Sequence, residues 1–250
     1  MNLAVFGDLH GNSAATSAVL NDIDAAKPDA ISCLGDLVGY GARPNEVIDI
    51  IRGRAIPTLM GNYDDGVGFD RDDCGCAYKT EEERERGQRS LMWSRAVVTR
   101  ENKQFLQALP FDIRFKTERT SVRLVHGSPR RINEYLFEDR DERSLERITR
   151  SAGCDTLIFG HTHKPWARAI AGVWMVNAGS AGKPKDGDPR ACWALVTIES
   201  GKPPVINFRR VAYDVAAITA AIRAEDGLPN EFADDLETGG APSQENVSAR

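Results

Sequence analysis

The chain has 250 residues and a formal net charge of −5, with 41% apolar and 28% charged residues. Such values suit a folded chain with a substantial core, and no apolar run approaches the roughly 18–20 residues needed to cross a bilayer. The charge is uneven: residues 227–250 hold five acids and one arginine, leaving residues 1–226 near neutral, a poor match for non-specific binding to long nucleic acid.

The predicted elements begin with Leu3–Phe6, a short apolar run that reads as a buried strand. Asn12 or Ser13 can cap the helix Ser13–Ala26, which stops before Pro28. Ala30–Leu34 is a second strand, Pro44–Arg52 a helix with proline in its first turn, and Ile56–Met60 a third strand. This β-α-β-α-β order predicts a largely parallel sheet with covered faces. Tyr63–Glu101 breaks the rhythm with a Gly/Asp/Cys loop, the charged run Thr80–Arg89 and an amphipathic piece around Leu91–Val98. It reads as a helical insertion, its charges lying on one solvated face. Glu101–Leu109 is a further helix. Strands follow at Arg114–Lys116, Val122–Val125, Thr156–Phe159, Val173–Val176, Cys192–Ile198 and Val205–Phe208, with a helix at Asp141–Ala152 among them. The strand-rich second half predicts a second sheet packed on the first, so the fold class is α/β. Asp214–Arg223 is expected to be the last helix. The domain is expected to end at residue 226, and the acidic tail 227–250 to be disordered. Nothing in the pattern sets an oligomeric state.

The five cysteines are odd in number and scattered, and Cys74-Gly-Cys76 has no second pair for a zinc knuckle. Reduced thiols and a cytoplasmic location are therefore expected. A cleaved leader is not, because the first strand starts at residue 3 and cleavage would remove Asp8 and His10.

All four histidines, His10, His126, His161 and His163, follow apolar strand-like runs beside glycines: "LAVFGDLHGN", "RLVHGS" and "LIFGHTH". Two further runs end likewise, at Gly35-Asp36 and Gly61-Asn62. Five strands thus deliver Asp8, His10, Asp36, Asn62, His126, His161 and His163 to their C-terminal ends, the edge where open α/β sheets build their sites. Imidazole with carboxylate suits divalent manganese, iron, zinc, nickel or cobalt. Seven such groups exceed one tetrahedral shell and suit two metals about 3.5–4 Å apart, a pair that can clamp a phosphoryl group and turn a bridging water into an attacking hydroxide.

The series Asp8-x-His10, Gly35-Asp36, Gly61-Asn62, His126-Gly127, Gly160-His161-x-His163 resembles the calcineurin-like metallophosphoesterase superfamily, across about residues 3–200. "GDLVGYGARPNEVIDIIR", "LVHGSPR" and "NAGSAGKPKDGDPRA" resemble its prokaryotic predicted-phosphodiesterase branch. The resemblance implies two stacked mixed β-sheets flanked by helices. It implies one metal on Asp8, His10 and His163, a second on Asn62, His126 and His161, and Asp36 bridging. Manganese is the preferred ion, and the implied activity is hydrolysis of a small-molecule phosphodiester by the bridging hydroxide. Two departures stand out. The Asp-Arg-Gly run of protein Ser/Thr phosphatases and symmetric dinucleoside tetraphosphatases is absent, since Asp36 is followed by Leu37-Val38-Gly39. The family's common Asn-His-Asp is here Asn62-Tyr63-Asp64. Tyr63 and Asp64 are taken as catalytic candidates. Arg43, Arg130 and Lys183, with Arg131 and Lys185, are candidate phosphate contacts. A non-catalytic scaffold of the same fold and a nuclease are the alternatives.

Overall fold

The computed structural model describes residues 1–116 and 118–241. The first half contains β1 (Asn2–Phe6), α1 (Ser13–Ala26), β2 (Ala30–Cys33), α2 (Pro44–Gly53), α3 (Asn62–Gly68), α4 (Glu81–Val97) and α5 (Arg100–Gln107). There follow β3 (Asp112–Lys116), β4 (Ser121–Val125), α6 (Glu142–Ala152), β5 (Thr156–Phe159), β6 (Trp166–Ile170) and β7 (Val173–Asn177). The chain closes with β8 (Ala191–Thr197), β9 (Val205–Val211), α7 (Val215–Arg223) and α8 (Glu231–Thr238).

Two mixed sheets form, in the orders β2-β1-β8-β9 and β3-β4-β5-β7-β6. In the first, β1 runs parallel to β2 and antiparallel to β8. In the second, β4, β5 and β7 are parallel and the two edge strands antiparallel. The period of two along β1 sorts its side chains between layers. Leu3 and Val5 lie between the sheets with Leu124, Ile158, Val176 and Val196. Ala4 and Phe6 face the other way, into a cluster with Val19 and Ile23 of α1 and Val47 and Ile51 of α2. On the far side of the second sheet, Leu145 and Ile148 of α6 pack on Phe159 and Met175. Each fully buried aliphatic side chain contributes roughly 1.5–3 kcal/mol. The parallel pairs turn the C-terminal ends of β1, β2, β4 and β5 toward one edge, where the candidate site lies.

Several expectations are corrected. Ile56–Met60 is not a strand but a single parallel bridge, Cys33 with Thr58. Pro57 has no N–H to extend a ladder, and Met60 turns away to the Pro110 carbonyl. The edge strand β6 was not expected. It forms a hairpin with β7 around Ala171 and Gly172, both with positive φ. Asn62–Gly68, read as loop, is the helix α3. The expectation of a disordered tail fails for residues 227–241: Leu228, Phe232 and Leu236 recur at helical spacing and bury against Ile218 and Ile222 of α7 and against Ala42. The remaining nine residues of the acidic tail lie outside the described residues. No helix among the described residues is long and apolar enough to cross a membrane.

Candidate metal centre

Five of the seven candidate ligands stand in the left-handed backbone region: Asp8, His10, Asp36, His161 and His163, with φ between 47° and 67°. For residues other than glycine this costs on the order of 1–3 kcal/mol each and persists where the surroundings over-determine it. They do here. Asp8 N–H donates to the Gly35 carbonyl at 2.9 Å, His10 N–H to that of Asp36 at 2.9 Å, and His161 N–H to the Asp8 carboxylate at 3.1 Å. Two glycines make room. A Cβ on Gly61 would lie 2.1 Å from Asp36 Oδ1, and one on Gly160 would lie 2.6 Å from Asp8 Oδ2.

Two buried triads result, Asp8–His10–His163 and Asp36–His126–His161, each with its donor atoms within 4.8 Å. The hydrogen bonds behind the rings decide which nitrogens are free. His10 Nδ1 donates to the Val38 carbonyl at 2.9 Å, His163 Nδ1 to that of Lys183 at 2.5 Å, and His126 Nδ1 to that of Leu34 at 2.8 Å. A carbonyl only accepts, so each Nδ1 carries the hydrogen and each neutral ring holds its lone pair on Nε2. Yet His10 Nε2 and His163 Nε2 face each other at 3.1 Å. His126 Nε2 faces Asn62 Oδ1 at 3.1 Å and Asp36 Oδ2 at 3.4 Å. His161 Nε2 is buried with no partner. The lone pairs of His10 and His163 aimed at one another call for a cation between them, and the donor set suits divalent ions. Asp36 Oδ2 also lies 3.6 Å from His10 Nε2, so this carboxylate stands between the two groups.

The titration directions agree at three of the four rings. Burial lowers His10 to about 4 and His161 to about 3, and holds His163 well below the usual histidine range, so these rings stay neutral and ready to ligate. Burial also pulls on His126, but the Asp36 and Asp8 carboxylates outweigh it and raise the ring to about 9. Burial raises Asp8 to about 7, whereas at Asp36 the neighbouring histidines overcome burial and hold the carboxyl below its ordinary value.

All seven ligands expected from sequence converge; the other candidates divide. Asp64 touches no open space. Its carboxylate accepts from the backbone N–H of Asp36 at 2.7 Å, Leu37 at 2.8 Å and Gly61 at 2.9 Å. The expectation of a catalytic contact is corrected to one of positioning Asp36. Tyr63 is also corrected: its ring is 1% exposed against Gly39 and Tyr40, and its hydroxyl is buried without a partner. It serves the site from behind: its N–H donates to Asp36 Oδ1 at 2.8 Å, and its ring packs edge-on to His10 at 5.5 Å. Arg43 is exposed and ion-paired with Glu46, away from the cleft. Arg130 and Arg131 line a separate surface hollow with Asn133 and Glu134, and Glu134 holds Arg130. Lys183 does reach the cleft, though buried, with Nζ 2.5 Å from Asp235 of α8.

That cleft, about 390 Å³, opens beside the triads and is lined by Tyr40, Tyr135, Thr162, Lys183, Lys185 and Phe232 among others. Reasoning from sequence missed its aromatic walls and the part of α8. It also missed the use of the cysteine pair. The Asn62 amide donates to the Cys74 carbonyl at 3.0 Å and to Cys76 Sγ at 3.2 Å, which aims its Oδ1 at His126. The Cys-Gly-Cys spacing twelve residues after Asn62 was the one available signal.

Comparison with known proteins follows this geometry. A family model described as the calcineurin-like phosphoesterase superfamily domain matches residues 1–201. An uncharacterized protein of Methanocaldococcus jannaschii is 32% identical over 231 residues, 85% of this chain and 88% of that protein. A metallophosphoesterase structure from Sphaerobacter thermophilus superposes with a TM-score of 0.76 at 28% identity, covering 96% of this chain and 100% of that one. A hypothetical protein from Pyrococcus horikoshii gives a TM-score of 0.82 at 24% identity over 97% and 99% of the two chains, a likeness of fold.

Proposed function

Since the chain belongs to the calcineurin-like phosphoesterase superfamily, we propose that it is a binuclear metal-dependent phosphoesterase acting on small phosphodiesters. The observation that carries this reading is the pair of buried imidazole lone pairs 3.1 Å apart, flanked by two carboxylates. Asp8, His10 and His163 would hold one ion, Asn62, His126 and His161 the other, and Asp36 would serve both. Two divalent ions, manganese preferred, would supply charge stabilisation at a phosphoryl oxygen and the acidity that makes water a nucleophile near neutral pH.

The chain's own residues do the rest. The carbonyls of Val38, Leu34 and Lys183 fix the ring tautomers, and Asp64 and the Tyr63 N–H fix the Asp36 carboxylate. The Lys183 ammonium, over the Tyr40 ring at 5.2 Å, is paired with Asp235 in the cleft wall. The Tyr63 hydroxyl is buried, and that burial raises it well above the ordinary tyrosine range. With no proton donor at that position, departure depends on the leaving group itself. Aryl diesters are therefore expected to react faster than alkyl monoesters. The test is a hydrolysis screen with manganese over mono-, di- and cyclic phosphates. Turnover of aryl diesters, lost on chelation, supports the reading; no turnover of any ester with manganese, zinc, iron, nickel or cobalt leaves a non-catalytic scaffold instead.

A further inference from the structure

A row of aromatic rings leads out from the metal centre. Tyr135 lies 4.1 Å from His161, centroid to centroid. Phe137 stacks beyond it at 5.6 Å and an interplanar angle of 14°. Packing accounts for Tyr135, wedged beside a candidate ligand. It does not account for Phe137, which is 40% exposed and lines the cleft. The same cleft carries Lys79, Arg86, Lys164 and Lys185, and none of the four has an ion-pair partner among the described residues. Glu83 and Asp235 also line it, Asp235 paired with Lys183, so the cleft keeps a net positive charge in a chain of net negative charge.

We propose that the cleft takes a nucleotide: a planar heteroaromatic base laid along Tyr135 and Phe137, with phosphate beyond the scissile group held by Lys164 and Lys185. The inference rests on the phosphoesterase reading and names its substrate class. Rings in a parallel row offer a face to any base, while ammonium groups beside them take the phosphates. A sugar phosphate would leave Phe137 uncovered. A cleft of about 390 Å³ lies within the roughly 300–1,000 Å³ usual for small-molecule sites, enough for a mononucleotide.

Isothermal titration of the manganese-loaded protein with adenosine 5′-monophosphate, adenosine 5′-diphosphate and ribose 5-phosphate tests this. The monophosphate should bind about tenfold or more tighter than ribose 5-phosphate, the range a stacked base supplies. Phe137→Ala should remove most of that preference, and Lys185→Gln should narrow the advantage of the diphosphate over the monophosphate. Equal binding of the monophosphate and ribose 5-phosphate, or a preference that survives Phe137→Ala, overturns the proposal. Hydrolysis of bis(4-nitrophenyl) phosphate by the same sample reports separately on the underlying activity. Turnover without base preference removes this inference alone, whereas base preference without turnover keeps the nucleotide site and removes the enzymatic reading.

Discussion

A carbonyl behind each of three imidazoles settles which nitrogen is free, while Asn62 is aimed by Cys74 and Cys76 and Asp36 is held by the Tyr63 N–H. Asp64 is the clearest case of a residue whose work lies behind a ligand. Asp64→Asn would turn an amide N–H toward backbone donors that now point at a carboxylate. Its metal affinity should fall about 10–100-fold, the usual cost of losing such support, measured by competition with a chelating dye. Tyr63→Phe removes only an unpartnered buried hydroxyl, so kcat on an aryl diester and the melting temperature should stay close to those of the parent. Glu134 gives a pH signature. Burial would raise its carboxyl, but hydrogen bonds from Arg130 and Ser128 outweigh that and bring it to about 2 from an ordinary 4.5. A depressed folded value means that its stabilisation is complete above about pH 4.5 and is lost as pH falls toward 2. Glu134→Gln should therefore be less stable than the parent at pH 6, with the gap in denaturant midpoint shrinking below pH 4.5. The ligands were legible in sequence because strand, glycine and histidine recur together. Asp64 and Tyr63 were misread because side-chain direction inside a short helix cannot be taken from chain order.

At the scale of elements, α8 changes what the C-terminus does. Phe232 packs edge-on to Tyr40 at 4.9 Å, and Asp235 holds Lys183, so the helix forms a wall of the cleft. Its periodic apolar residues were visible in the sequence, but the acidic composition around them reads as solvated chain. Ending the chain after Ala224 should lower both the melting temperature and the hydrolysis rate. Leu236→Ala, at a site 3% exposed, should cost about 2–5 kcal/mol in equilibrium unfolding. The strands of the second sheet were legible because their runs are apolar, but the largely parallel sheet expected from the first half is corrected: only β1 and β2 pair parallel there, and β8 and β9 complete that sheet antiparallel. The edge strand β6 was not legible, because Arg168 interrupts its pattern and Ala171-Gly172 is a weak hairpin signal. Pro57 explains the opposite error at Ile56–Met60, an apolar run that cannot complete a ladder.

Across the whole molecule, two sheets bring their strand ends to one edge, where β1, β2 and the chain after Met60 meet β4 and β5. Neither sheet holds a full set of ligands. Asp8, His10, Asp36 and Asn62 come from the first-sheet side, and His126, His161 and His163 from the second. Metal binding is therefore expected to tie the sheets together, and saturating manganese should raise the melting temperature of the parent more than that of Asp36→Asn. The most direct test of a binuclear centre is the count of metal per chain, by elemental analysis after equilibrium dialysis against manganese. Two ions per chain, falling to one or none in Asp36→Asn with loss of aryl diester hydrolysis, is the result the account predicts. One ion or none in the parent at saturation, with hydrolysis retained, would contradict it.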